Sequence, residues 1–170
     1  MKPKLLIVYY SWSGRTQLVA ETMANHTGAD LFELQTVRTY PTAQKEIDSE
    51  VNRELESGLL PSLEAMPGNL NDYELVIVGG PVWMYTVATP VMRFLSESDF
   101  SGRQVAPFCT HQGGVGRYFA HFAEQVRNGE TLEGLEMYSP TMSITTERQI
   151  VAWLKKAGAI HTHPALSQNH

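Results

Sequence analysis

The stretch Tyr10-Ser-Trp-Ser-Gly-Arg-Thr16 follows directly on an apolar run and precedes a segment of helical period. Ser11, Ser13 and Thr16 offer three hydroxyls, Gly14 lets the backbone curve tightly, and the first N–H groups of a following helix lack intrahelical acceptors. Such groups can surround a phosphate-sized anion with neutral donors, without a lysine. A plainer role fits the same residues, with Ser11 and Ser13 capping the helix. Neither common nucleotide fingerprint is present: G-x-x-x-x-G-K-[ST] is absent, and Gly114-Val-Gly116 is followed by Phe119 where the dinucleotide pattern needs glycine. Both a P-loop kinase and a Rossmann-type dehydrogenase are disfavoured.

Cys109 is the single cysteine, so no internal disulfide or Cys-built cluster can form. A cysteine-nucleophile phosphatase would place an arginine six residues on, to face the anion its loop wraps. Cys109 to Arg117 is instead Cys-x7-Arg, and Cys109 ends an apolar run where it packs well as a small hydrophobe. A receiver-type domain needs acidic residues at the strand ends to hold Mg²⁺, and the first and third apolar runs end without any. His161-x-His163 supplies two imidazoles near the end of the chain, too few by themselves for a metal site.

Short β-rich apolar runs alternate with segments of helical period, the signature of a parallel sheet wrapped by helices. Strands are expected at Leu5–Tyr10, Leu31–Leu34, Leu75–Gly79, Gln104–Cys109 and Leu135–Tyr138, the first, third and fourth nearly all apolar, as in strands buried on both faces. Leu18, Val19, Thr22 and Met23 form one helical stripe, Phe119, Phe122, Ala123 and Val126 a second, and Ile150, Trp153, Leu154 and Ala157 a third that stops at Gly158. Pro41–Leu60 reads as an exposed helix followed by a long loop. Five β/α units with right-handed crossovers predict a three-layer α/β/α, doubly wound, five-stranded parallel sheet of order 2-1-3-4-5. Ligands of such sheets bind outside the carboxyl ends of the strands, where strand order reverses, which directs attention to the turns after strands one, three and four.

At 170 residues with 42% hydrophobic content, the chain fits one domain with its own core. Its net charge of −5 leaves no basic excess for a phosphate backbone or an anionic bilayer, so neither nucleic acid nor membrane is an expected partner. Apolar runs such as Leu75-Val-Ile-Val78 fall far short of the roughly 20 residues of a membrane span. Met1-Lys-Pro-Lys4 runs into a strand with no cleavable signal layout, and a cytoplasmic location is expected. The sequence sets no oligomeric state.

Ile7-Val-Tyr-Tyr-Ser-Trp-Ser-Gly-Arg-Thr-Gln-Leu-Val-Ala20, continuing to Met23, resembles the flavodoxin signature. Gly80-Pro-Val-Trp-Met-Tyr85, with Pro90-Val91 and Phe94-Leu95, is similar to that family's second flavin loop, and Phe108-Cys-Thr-His-Gln-Gly-Gly-Val-Gly116 to its third. The resemblance implies one flavodoxin-like domain over residues 1–158, with 159–170 as a flexible tail. It also implies noncovalent binding of flavin mononucleotide (FMN), and electron transfer or reduction of a small acceptor. Ser11, Trp12, Ser13, Gly14, Arg15 and Thr16 would form the phosphate loop, Pro81, Val82, Trp83, Met84 and Tyr85 one wall of the ring site, and Thr110, His111, Gln112, Gly113, Gly114 and Gly116 its polar side. Trp83 would supply a stacking face worth about 0.5–1.5 kcal/mol beyond area burial. FMN is favoured over FAD because a terminal phosphomonoester suits a closed hydroxyl pocket.

Residues 1–20, 75–96 and 100–123 contain no Asp or Glu, so all three loops lack carboxylates of their own. Electron carriers of the family commonly ring the flavin with acids that guide basic partners. This chain offers Arg15, Arg93, Arg117 and His111 instead, which favours a reductase of small acceptors, or a carrier that docks by apolar contact, over an acidic shuttle. The expected partners are a redox donor and acceptor, small molecule or protein. A phosphate-ester hydrolase using Cys109 and a flavin-less binding domain of the same fold stay open as alternatives.

Overall fold

The structure is a computed structural model and describes residues 4–161. In chain order its elements are β1 (Leu5–Tyr9), α1 (Arg15–Thr27), β2 (Asp30–Glu33), α2 (Gln44–Ser57), β3 (Leu75–Trp83), β4 (Thr86–Val87), α3 (Thr89–Ser96), β5 (Gln104–His111), α4 (Tyr118–Gln125), β6 (Glu130–Thr131), β7 (Leu135–Tyr138) and α5 (Ile144–Lys156), with a 3₁₀ turn at Leu70–Asp72. The parallel sheet runs β2-β1-β3-β5, with β6 and then β7 sharing the fifth position along β5. This is the expected doubly wound order, except that the fifth strand is broken at residues 132–134. Gly134 explains the break: a Cβ there would fall on the Phe119 ring, so the chain passes close over α4 before resuming as β7.

Leu5, Ile7 and Tyr9 of β1 meet Val19, Ala20 and Met23 of α1 and Ile150, Trp153 and Leu154 of α5 in one apolar layer. Leu6 and Val8 meet Ile47 and Val51 of α2, Val91, Phe94 and Leu95 of α3 and Phe122 of α4 in the other. Successive strand residues point to opposite faces, so a strand covered by helices on both sides must be apolar throughout. Each large aliphatic side chain so buried contributes about 1.5–3 kcal/mol. Gly28 ends α1 in the left-handed conformation (φ 68°), its N–H donating to the Ala24 carbonyl at 2.8 Å, and Ser143 Oγ opens α5 by accepting from the Thr146 N–H at 3.1 Å.

Two strands outrun their apolar stretches. β3 continues through Gly80 and Pro81, paired with Cys109 and Thr110 of β5, and ends in a hairpin with β4. β5 itself reaches His111. Gly79 permits this tight sheet, since a Cβ there would come within 2.3 Å of the Phe108 ring. At the far end, Ala159 and Ile160 still pack against the α1–α5 layer. His163 and the rest of 162–170 lie outside the described residues.

Candidate functional site

The loop after β1 folds around one hydroxyl. Ser11 Oγ accepts from the Gly14 N–H (3.1 Å) and from the Gln17 N–H (3.2 Å) in the first turn of α1. Gly14 sits at φ 94°, a left-handed conformation that an L side chain would strain. Leu18 makes the first helical bond back to Gly14, so the N–H groups of Arg15 and Thr16 have no acceptor within the helix. Ser11 thus caps α1, while two aligned donors and the positive end of the helix dipole stay open beside the exposed Ser13.

Thr16 is buried, and its Oγ1 lies 2.8 Å from Thr110 Oγ1. That bond ties the loop after β1 to the end of β5. The Arg15 guanidinium donates to the Pro140 carbonyl at 3.4 Å, spanning from α1 to the turn after β7. Trp12 Nε1–H donates to the Pro41 carbonyl at 3.0 Å, which holds the approach to α2 against the same loop.

The second loop is a two-residue hairpin tip. Met84 (φ 51°) and Tyr85 (φ 59°) both adopt the left-handed conformation between the paired Trp83 and Thr86. Side-chain-bearing residues at both tip positions are held there by outside contacts. The Arg117 N–H donates to the Tyr85 carbonyl at 2.8 Å, and a Cβ on Gly116 would come within 2.5 Å of Tyr85. Thr86 Oγ1 also bonds His121 Nδ1 on α4. Gly116 therefore serves the close approach of the third loop to this tip, and Tyr85 is left 66% exposed beside Met84.

Trp83 is turned inward and only 8% exposed. Its ring stands edge-on to Tyr40 (5.0 Å between centroids) and Tyr10 (5.3 Å), which themselves pair at 6.2 Å. Burial raises the Tyr10 and Tyr40 hydroxyls well above the ordinary phenol range.

In the third loop the Gly114 N–H donates to His111 Nδ1 at 3.1 Å. In its neutral form His111 must then carry its hydrogen on Nε2, which faces Glu136 Oε2 at 3.5 Å. Its ring also packs edge-on to Tyr138 at 5.7 Å. Glu136 comes from β7, far along the chain, and supplies one acid behind a loop that has none of its own.

The three loops enclose a cavity of about 240 Å³, lined by Trp12, Ser13, Arg15, Pro81, Val82, Trp83, Thr110, His111, Gln112 and Gly113, with Gln44 from the start of α2. Ten of the residues singled out in the sequence meet there. Ser11, Gly14, Thr16, Gly114 and Gly116 shape the loops without lining it, and Met84 and Tyr85 stand exposed at the hairpin tip, outside the lining. Gln44 was missed; the Pro41 turn preceding its helix was the one available signal. Among the described residues, no Asp or Glu lines the cavity. Cys109 does not line it either. It is fully buried, and desolvation, then the charge of Glu136, push its thiol far above the ordinary range.

Fold and junction together define a doubly wound α/β protein whose switch point carries an anion-compatible helix start and a cavity between three loops. The Flavodoxin family profile matches residues 4–157, and the chain belongs to that family. Among solved structures, a flavoprotein of Lactobacillus acidophilus NCFM in complex with FMN is 26% identical, with a TM-score of 0.70 over 79% of this chain and 93% of its own. Oxidised flavodoxin 2 from Bacillus cereus superposes with a TM-score of 0.56 at 19% identity, over 88% of this chain and 94% of that one. A Bacteroides eggerthii protein at 23% identity gives 0.79, over 94% of this chain and all of its own, and at that identity shows the fold. No curated protein sequence matches the chain.

Proposed function

We propose that the chain binds FMN at the junction of its three loops and exchanges electrons with small acceptors, or with partners that dock by apolar contact. The FMN complex of the Lactobacillus acidophilus relative supports the cofactor, and this chain's own residues fit it. The free N–H groups of Arg15 and Thr16, with Ser13, suit a phosphate at the start of α1. The cavity lies below the roughly 300–1,000 Å³ of sites that engulf a ligand, which suits a cofactor held by its edge with the rest on the rim. Pro81, Val82 and Trp83 offer an apolar wall, and Gln112 and Gly113 offer polar groups on the opposite side. When bound, the flavin supplies the electron and hydride chemistry, and the protein binds and orients it.

The carrying observation is the lining itself, which pairs Arg15 and His111 with no carboxylate. An acidic ring would steer basic partners and oppose added negative charge; this site does neither. Rapid-mixing kinetics of the reduced protein test the assignment against a small quinone and a basic protein acceptor. Quinone reduction is expected to change little with salt. Efficient reaction with the basic protein alone, collapsing between low and physiological salt, would overturn it. The hydrolase alternative loses its nucleophile, since a buried, fully protonated thiol is inert.

A further inference from the structure

Beside the loop junction lies a second cavity, of about 420 Å³, bounded by Val37, Arg38, Tyr40, α2 and residues 59–62. Its size falls in the range of small-molecule sites. Glu54 of α2 lines it. Glu54 Oε1 accepts from Thr89 Oγ1 (3.0 Å) and Tyr40 OH (2.8 Å), and Oε2 accepts from the same Tyr40 hydroxyl (2.6 Å). An ionised carboxylate has about four acceptor positions, and one donor shared between its oxygens plus a second leaves Oε2 with capacity to spare. Two apolar side chains on the cavity's rim stand in water, Val37 at 60% and Leu59 at 77% exposed. Two arginines also line the cavity: Arg38 is engaged by Glu50 at 3.4 Å, and Arg53 is exposed to solvent.

Tyr40 links this cavity to the loop junction. Its hydroxyl holds Glu54 and contacts Thr89 Oγ1 at 3.2 Å, while its ring meets Trp83 at the wall of the loop junction. A group that engages Glu54 therefore acts one residue away from that wall.

We propose that this cavity binds a small amphipathic organic ammonium, its cationic head on Glu54 and its apolar body against Val37, Leu59 and Leu60, and that occupancy reaches Trp83 through Tyr40. An ammonium adds the charge-assisted bond that Oε2 can accept, and an apolar body covers side chains now in water. The binding claim stands apart from the cofactor assignment; the transmission to Trp83 rests on it.

Calorimetric titration of the full chain with benzylammonium chloride, benzyl alcohol and sodium phenylacetate compares a cation, a neutral counterpart and an anion of similar shape. Saturable one-site binding of benzylammonium is expected, tighter than either other probe by about tenfold, the scale of one charge-assisted hydrogen bond. Glu54→Gln should lose about that factor, and Glu147→Gln on α5 none. If Glu54→Gln does not fold, the alcohol comparison on the native chain makes the same decision. Absent saturation, equal binding of the alcohol or tighter binding of phenylacetate overturns the site. Transmission is read as a change in flavin emission when benzylammonium saturates the FMN-loaded chain, lost in Tyr40→Phe. Unchanged emission overturns transmission, whereas a chain that takes up no FMN overturns the cofactor assignment and leaves the calorimetry to decide the cavity.

Discussion

The hydrogen bond between Thr16 and Thr110 is the clearest internal strap between the loops, and its energetics can be measured without any cofactor. Both hydroxyls are buried and 2.8 Å apart. Replacing either threonine by valine keeps the volume but leaves the other hydroxyl desolvated and unpaired, at a cost of about 1–3 kcal/mol. For a chain of this length that is a fall in Tm of roughly 2–12 °C. Replacing both removes donor and acceptor together, which is close to neutral. The double variant Thr16→Val/Thr110→Val should therefore be nearer to wild type than either single variant, with a coupling that approaches the sum of the two single losses, about 2–6 kcal/mol. Urea unfolding of the apoprotein and its three variants, at matched m-values, closes the cycle. Additive effects would refute the strap as an energetic link.

Gly79→Ala should destabilise at the upper end of the roughly 1–3 kcal/mol typical of overpacking, because its methyl would come within 2.3 Å of the buried Phe108 ring; thermal unfolding measures it. Cys109 should resist a thiol reagent at pH 8 until the protein unfolds, and Cys109→Ala should keep FMN binding, both read by absorbance. Burial raises the Glu54 carboxyl, partly offset by the Tyr40 and Thr89 hydrogen bonds, so the folded chain holds that proton more tightly than the unfolded one. Its contribution is full below the ordinary carboxylate range and is lost as pH rises through the raised value. Stability of the native chain, followed by urea unfolding across that window, should fall with pH more than that of Glu54→Gln.

The sheet was legible because its central strands are buried on both faces and so carry continuous apolar runs, as Leu5–Tyr9 does. The same signal ends too early where pairing outlasts hydrophobicity. Gly80, Pro81, Thr110 and His111 read as loop residues, yet they pair as strands. Helix α3 carries its own markers, Pro90 in the first turn and then Val91, Phe94 and Leu95 on one face, but reads first as part of a flavin loop. The phosphate-loop residues were visible because a hydroxyl–glycine turn has a local mechanism. Glu136 and Gln44 were not, since each reaches the site from a distant element and nothing beside it in sequence marks the meeting. The inward turn of Trp83 was likewise hidden, because Tyr10 and Tyr40, which hold it edge-on, approach only in the fold.

Titration of the apoprotein with FMN, in parallel with riboflavin, tests the assigned site most directly. One FMN per chain is expected, with flavin emission changed on binding and riboflavin markedly weaker, because only FMN carries the phosphate for the N–H groups at the start of α1. A correctly folded chain that leaves FMN emission unchanged, or binds riboflavin equally well, would contradict it.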